Sequence, residues 1–117
     1  MNIEEIREYC LLKGAVEECF PFDISTLVFK VGGKMFLIMD INSNPIEFNV
    51  KCEPAKAEEL REKYNCVNPG FHMNKRHWNT ITLNGSVSKK IIFGWIDDSY
   101  NLIVESLPKK YRALKKD

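Results

Sequence analysis

Hydrophobic and polar positions change their period along the chain, and the central third follows a period of two. Alternate residues of Leu27–Val31 are apolar, and the Gly32-Gly33 pair that follows is a two-residue hairpin signal. Lys34–Ile41 is a more fully apolar run that ends at the turn-forming residues Asn42–Pro45. The pattern predicts two hairpin-connected strands here. The preceding stretch, Glu17–Thr26, has no regular period and is predicted as a loop.

Two further segments carry strand patterns. In Ile46–Lys51, Phe48 and Val50 share an apolar face whose reverse is polar, so a third strand joins an antiparallel meander. Trp78–Leu83 predicts another strand, and Phe71–Met73 predicts a short one.

Helical spacing marks both ends of the chain and one internal segment. An Asn cap and apolar positions three to four apart predict a helix over residues 3–12. Pro54 suits the first position of a second helix. Ser86 or Ser88 is a candidate cap for a long final helix that ends at Pro108.

The order of elements predicts an α+β fold, with an antiparallel sheet and helices packed on one face. The length, 117 residues and 13.6 kDa, predicts one domain over residues 1–117. Helices on one face leave the other sheet face at least partly exposed. This asymmetry is the first functional indication.

Composition excludes several classes of protein. The net charge of +1 argues against a strongly basic nucleic-acid arm, and no apolar run approaches a membrane span. The acidic N-terminal segment does not resemble a secretory signal, so we expect a cytoplasmic protein, and a monomer. We therefore expect reduced, mostly structural thiols at the four cysteines. These are Cys10, Cys19, Cys52 and Cys66.

The densest group of basic and aromatic residues lies within seven positions. It comprises His72, Lys75, Arg76, His77 and Trp78. Basic side chains neutralise phosphates and an aromatic face stacks on a base or sugar, so the group indicates a binding surface. The alternative is a solvated loop in which Trp78 merely packs on the sheet.

Periodicity predicts where this indole points. Ile81 and Leu83 should face the helices, so the alternate residues of that strand face the exposed side. The predicted exposed surface carries Lys30, Asn49, Lys51, Trp78 and Thr80.

Charge is unevenly divided along the chain. Residues 1–70 hold 8 basic and 12 acidic groups, whereas residues 71–117 hold 9 basic and 4 acidic groups. A one-signed field steers a polyanion even at low net charge. The alternative for Lys109–Lys116 is a frayed solubilising end. The basic groups of the second half are Lys75, Arg76, Lys89, Lys90, Lys109, Lys110, Arg112, Lys115 and Lys116.

Neither a metal site nor a catalytic site is indicated. Cys66, His72 and His77 lack a fourth ligand at zinc-finger spacing. No nucleophile elbow, phosphate-binding glycine loop or zinc-protease motif occurs. We expect a non-enzymatic protein without cofactors.

Several short motifs together resemble the MmcQ/YjbR-like family, in order and over roughly residues 3–112. They are Pro21–Asp23, Val31–Phe36, Lys51–Pro54, Asn68–Gly70, Met73–Trp78, Ser99–Tyr100 and Leu107–Pro108. The resemblance implies a CyaY-like, frataxin-type fold and DNA binding, the activity commonly assigned to the family by structural analogy. Carried over by position, it implies contacts from Lys34, Lys51, Lys75, His77 and Trp78.

The leading expectation is therefore nucleic-acid binding, with DNA as partner. The candidate site residues are Lys34, Lys51, Lys75, Arg76, His77 and Trp78. A protein-interaction module using the same face, anchored by Trp78, is the alternative. Frataxin-like iron handling is the most distant, because the chain lacks the strong acidic ridge of frataxins.

Overall fold

Six antiparallel strands form one sheet with helices on one of its faces, in a computed structural model that describes residues 1–114. The strand order across the sheet is β1-β2-β3-β4-β6-β5. The α+β architecture predicted from the sequence is confirmed. The elements are α1 (Ile3–Leu11), β1 (Val16–Cys19), β2 (Thr26–Val31), β3 (Lys34–Asp40), β4 (Glu47–Lys51), α2 (Pro54–Lys63), β5 (Val67–Pro69), β6 (Trp78–Thr82), α3 (Lys89–Glu105) and a 3-10 helix (Lys109–Leu114).

Side-chain caps begin the helices where the sequence predicts them. The Asn2 amide oxygen accepts the N–H of Glu5 at 2.9 Å, and the Ser88 hydroxyl accepts the N–H of Ile91 at 3.3 Å. Of the two predicted caps for α3, Ser88 is the one used. The helix ends at Glu105, three residues before Pro108.

Two predicted segments are wrong. Glu17–Thr26 was expected to be a loop, but its start belongs to edge strand β1, which pairs with β2. A four-residue strand with two central glutamates has too little apolar alternation to be recognised. The β5 strand is Val67–Pro69, rather than the predicted Phe71–Met73. Val67 supplies the buried strand residue opposite Ile81, and β5 ends at Pro69.

The hydrophobic core lies between the helices and one sheet face. Phe29, Phe48 and Ile81 point into it from three strands, and Ile96 and Tyr100 meet them from α3. All five are at most 2% exposed. Their neighbours along each strand point the other way, which defines the helix-free side of the sheet, here called the open face.

A partly buried ion pair joins the end of α1 to α3. The ammonium of Lys13, which follows α1, contacts the carboxylate of Asp97. The Tyr9 hydroxyl donates to the same carboxylate at 2.7 Å. Burial, together with Asp97, raises the pKa of Tyr9 well above its usual range. The phenol therefore stays protonated and acts as a donor.

Ser99 of α3 hydrogen-bonds two strands of the sheet near a shift in strand register. The β2–β3 register shifts opposite Phe36, between Phe29 and Lys30. There the buried Ser99 hydroxyl donates to the Phe36 carbonyl at 2.5 Å and accepts the Lys51 N–H at 2.8 Å. The hydroxyl thus bridges the backbones of β3 and β4, and it holds Lys51 in position.

We expect Ser99→Ala to lower the free energy of unfolding by about 1–3 kcal/mol, because it removes the hydroxyl that hydrogen-bonds the Lys51 N–H and the Phe36 carbonyl. Chemical denaturation measures this difference. Ser86→Ala, at an exposed loop serine, is the matched control and should stay within about 0.5 kcal/mol of the parent. Equal stability of the two variants would contradict the bridging role.

Native thiol reactivity should come from Cys19 alone. Cys10, Cys52 and Cys66 are buried, and burial raises the pKa of Cys10 to about 12. Cys19 ends the edge strand and is partly exposed. A chromogenic disulfide reagent should label one thiol quickly in the folded protein, and Cys19→Ser should remove that phase. Fast labelling that persists in Cys19→Ser would contradict the prediction.

Candidate functional site

A lysine and a tryptophan stand side by side on the open face. Lys51 at the end of β4 is paired across the strands with Trp78 at the start of β6. Lys30 lies at the same end of the sheet, paired with Met35 of β3. The predicted orientation of these three residues is confirmed, because the strand neighbours of both lysines belong to the core and Asn79, next to Trp78, is 1% exposed. All three are half-buried rather than sealed in the interior.

The middle of the open face is more covered than the sequence predicts. Val28, Ile38 and Thr80 lie on this side yet are at most 8% exposed. Thr80 was expected to be exposed, but its hydroxyl donates to the Asn49 amide oxygen and accepts the N–H of Phe71 at 2.9 Å. A loop therefore lies over part of the face.

Two loops border a hollow in the open face. The loop between β1 and β2 contributes Phe22, and the loop between β5 and β6 contributes Phe71. The hollow has a volume of about 600 Å³, with Ile38 and Asn49 also in its lining. We call it the central groove. Phe22 is 64% exposed and Phe71 is 46% exposed, so two aromatic rings stand largely in solvent beside it.

A second hollow adjoins the central groove at the Trp78 end. Its lining includes Lys30, Lys34 and Trp78, and its volume is about 420 Å³. We call it the lysine hollow. It shares Phe22 and Met35 with the central groove, so the two are continuous along the face.

Charge changes sign along this continuous surface. The lysine end carries Lys30 and Lys51, and no other described residue pairs with either ammonium. At the opposite end, Asp40 and Glu47 are paired across neighbouring strands and both line the central groove. Two carboxylates placed directly opposite each other repel. The face is therefore polarised, with a cationic end beside Trp78.

Hydrogen bonds within the loop after β5, and from this loop to Trp78 and Arg61, hold the loop next to Trp78. The N–H of Gly70 donates to the Trp78 carbonyl at 2.9 Å, and the Lys75 ammonium donates to the Gly70 carbonyl at 2.8 Å. Arg61 of α2 donates to the Lys75 carbonyl and, at 2.7 Å, to the side chain of Asn79. A Cβ on Gly70 would lie 2.9 Å from the backbone of Trp78, so the close approach requires glycine.

The six predicted site residues do not all share one surface. Lys51 and Trp78 stand on the open face. Lys34 reaches this surface at the hairpin end, in the lining of the lysine hollow, and donates to Ser106 at 3.2 Å. Lys75 closes its own loop. The other two follow Lys75 in that loop, Arg76 with an exposed side chain and His77 half-buried.

The basic second half of the chain does not form one face. Lys89 begins α3 and is paired with Glu5 of α1. It follows β6, whereas Lys75 precedes β6, so the two lysines lie beyond opposite ends of that strand. Lys109, Lys110 and Arg112 belong to the 3-10 helix, whose last residue, Leu114, lies against Gly14 before edge strand β1. Lys115 and Lys116 lie outside the described residues. The predicted single basic side is therefore wrong for Lys89.

The sequence pattern does not reveal the aromatic side chains that border the central groove, or the contacts made by Arg61. Phe22 and Phe71 lie in loops that have no hydrophobic periodicity. The sequence shows only that each follows a residue typical of turns, Pro21 or Gly70. Arg61 lies among charged neighbours in α2, a pattern typical of the outer face of a helix. Its contact with Asn79 depends on how α2 packs on β6, which the local sequence does not contain.

No group of three His, Cys, Asp or Glu side chains able to hold a metal ion occurs within residues 1–114. In the same part of the chain, no helix combines the length and apolar character that crossing a bilayer requires.

Relatives with this fold occur in several bacteria. YjbR of Escherichia coli K12 is 33% identical over 114 residues, 97% of each chain. YbdF of Escherichia coli O157:H7 is 36% identical over 95 residues, covering 81% of this chain and 78% of that protein. Both are described as uncharacterised proteins.

Solved structures agree. A crystal structure from Deinococcus radiodurans superposes with a TM-score of 0.89 at 35% identity, covering 96% of this chain and 86% of that one. The crystal structure of a Pseudomonas syringae protein superposes with a TM-score of 0.75 at 28% identity, covering 87% of this chain and 98% of that one. The YjbR family model matches residues 11–102. The chain therefore belongs to the MmcQ/YjbR-like family, as its motifs predict.

Proposed function

We propose that this protein binds nucleic acid, without catalysing a reaction on it, through the lysine end of its open face. The observation that carries the proposal is the cross-strand pair of Lys51 and Trp78, which sets a cation beside a partly exposed indole. Lys30 extends the cationic surface across the sheet. The expected partner is DNA, and the proposal assumes the cytoplasmic location expected from the sequence.

Each side chain has a separate physical role. The ammonium groups of Lys30 and Lys51 neutralise phosphates and release condensed counterions, which supplies affinity without reading sequence. The indole of Trp78 offers a flat apolar surface for a base or sugar. The exposed Arg76 adds charge at the neighbouring loop, and Lys34 at the hairpin end.

Two residues of the predicted set have positioning roles. Lys75 closes the loop onto Gly70, which leaves two of its three N–H donors for a phosphate. The His77 carbonyl accepts the Cys52 N–H at 2.8 Å and so joins the loop to the end of β4. These contacts hold Trp78 and Lys51 in register.

A protein partner on the same surface is the second candidate. The observation that favours it is a group of exposed apolar side chains on the bordering loops. They are Phe20, Phe22, Ile24 and Phe71. Trp78 would then be an aromatic anchor of the kind that dominates protein interfaces. The two candidates differ in their dependence on salt.

We expect the affinity for DNA to fall steeply as salt rises, because phosphate contacts release counterions. Lys51→Ala should reduce the magnitude of the log–log slope by about 1. Fluorescence anisotropy of a labelled oligonucleotide at several salt concentrations measures both quantities.

Lys90→Ala is the matched control, because Lys90 is exposed at the start of α3, in the helix layer. It removes the same charge away from the open face and should leave the slope unchanged. A slope insensitive to Lys51, or no binding at low salt, would count against the proposal and favour a protein partner.

Trp78→Ala should weaken DNA binding by about fivefold to a hundredfold, the range expected for loss of one stacked base. Trp78→Phe should retain most of the affinity, since it keeps an aromatic face. Circular dichroism verifies that both variants fold. If the two variants lose affinity equally, the indole acts through packing rather than stacking.

A further inference from the structure

We propose that the ligand is an unpaired strand, one base of which enters the central groove between Phe22 and Phe71. This inference rests on the proposed nucleic-acid function and narrows its ligand to single-stranded nucleic acid. It follows from the shape of the open face, from the two exposed rings and from the distribution of charge along the surface.

The shape of the face disfavours a duplex. The major groove of DNA admits a protruding helix or a two-stranded ribbon. The helices of this fold lie on the other side of the sheet, and the open face is bordered by two loops that make it concave. A duplex keeps its bases stacked inside, so neither loop aromatic could reach a base face.

The hollow is large enough to admit a single base. A volume of about 600 Å³ lies within the range of small-ligand sites. Its borders carry Phe22 and Phe71, which are 64% and 46% exposed, an unusual state for large aromatic side chains. Stacking an unpaired base on such rings removes apolar surface from water on both partners.

The charges orient the strand. Phosphates are attracted to Lys30 and Lys51 at the lysine end and repelled by Asp40 and Glu47 at the far end. The backbone therefore crosses near Trp78, while a neutral base points along the face into the central groove. Within the groove, the Asn49 amide has spare hydrogen-bonding capacity, since its nitrogen donates to the Phe71 carbonyl through only one of its two hydrogens.

The contact with the Phe71 carbonyl also fixes the bordering loop to the strands of the sheet. Asn49 donates to that carbonyl at 3.2 Å, and Thr80 accepts the N–H of the same residue at 2.9 Å. Both backbone groups of Phe71 are thus fixed to the sheet. The ring is presented by a held backbone, which reduces the entropy lost when a base stacks on it.

The test compares one labelled oligonucleotide as a single strand and as its duplex, using the full chain and anisotropy at one low salt concentration. We expect the single strand to bind about tenfold more tightly than the duplex. Phe22→Ala and Phe71→Ala should each weaken single-strand binding about fivefold or more, and should leave duplex binding unchanged.

Ile24→Ala is the matched control. Ile24 lies in the same loop as Phe22 and is 92% exposed, but it does not line the central groove. It should leave both affinities within about twofold of the parent. The three substituted side chains are exposed, so the variants should keep the parent thermal stability, which a melting curve verifies.

The outcomes separate the two proposals. Equal binding of duplex and single strand, or equal effects of the Phe22, Phe71 and Ile24 variants, overturns the unpaired-strand inference. If Lys51→Ala still weakens binding in that case, the nucleic-acid function stands and only the ligand class is wrong. Binding of neither form at low salt overturns both.

Discussion

Packing of helices on a single face of the sheet is the constraint on which the rest of this structure depends. A six-stranded antiparallel sheet has two faces, and α3 covers only one, meeting it with Ile96, Tyr100 and their neighbours. Successive residues of a strand therefore lie in different environments, one facing the core and the next facing the open side of the sheet. The open face can keep polar and aromatic side chains such as Asn49 and Trp78, because it does not have to be dry.

The two layers are nevertheless coupled. Ser99 belongs to the helix layer, but its hydroxyl accepts the backbone N–H of Lys51, whose side chain stands on the open face. Arg61 reaches from α2 to Asn79, the residue next to Trp78. Positions on the open face are thus set by polar contacts made on the other side. A site assembled in this way is held by the packed half of the molecule rather than by its loops alone.

Much of this arrangement was predictable because period two is a local property. The alternation in Ile46–Lys51 and Trp78–Leu83 predicts which side chains share a face, and the pairing of Lys51 with Trp78 confirms it. Helix starts at Asn2 and Ser88 are equally local, since a cap acts within three residues. These predictions needed no knowledge of which strands are neighbours.

The errors arise where long-range contacts override the local pattern. Edge strand β1 is held by pairing with β2. The carboxylate of Glu18 forms a salt bridge with Arg7 of α1 at 2.5 Å, so the charge of Glu18 does not prevent one side of the strand from being partly buried. The burial of Thr80 depends on a loop that starts after β5 and folds back over the sheet. Neither fact can be derived from the residues within the segment itself.

Charge illustrates the same distinction between sequence and space. Dividing the chain at residue 70 separates an acidic half from a basic half, but the fold does not keep the basic half on one surface, since Lys89 pairs with Glu5 of α1. The cationic end of the open face instead draws Lys30 and Lys51 from the acidic half. Because exposed charges act over about 8–10 Å at physiological salt, this local grouping matters more to a bound polyanion than the net charge of +1.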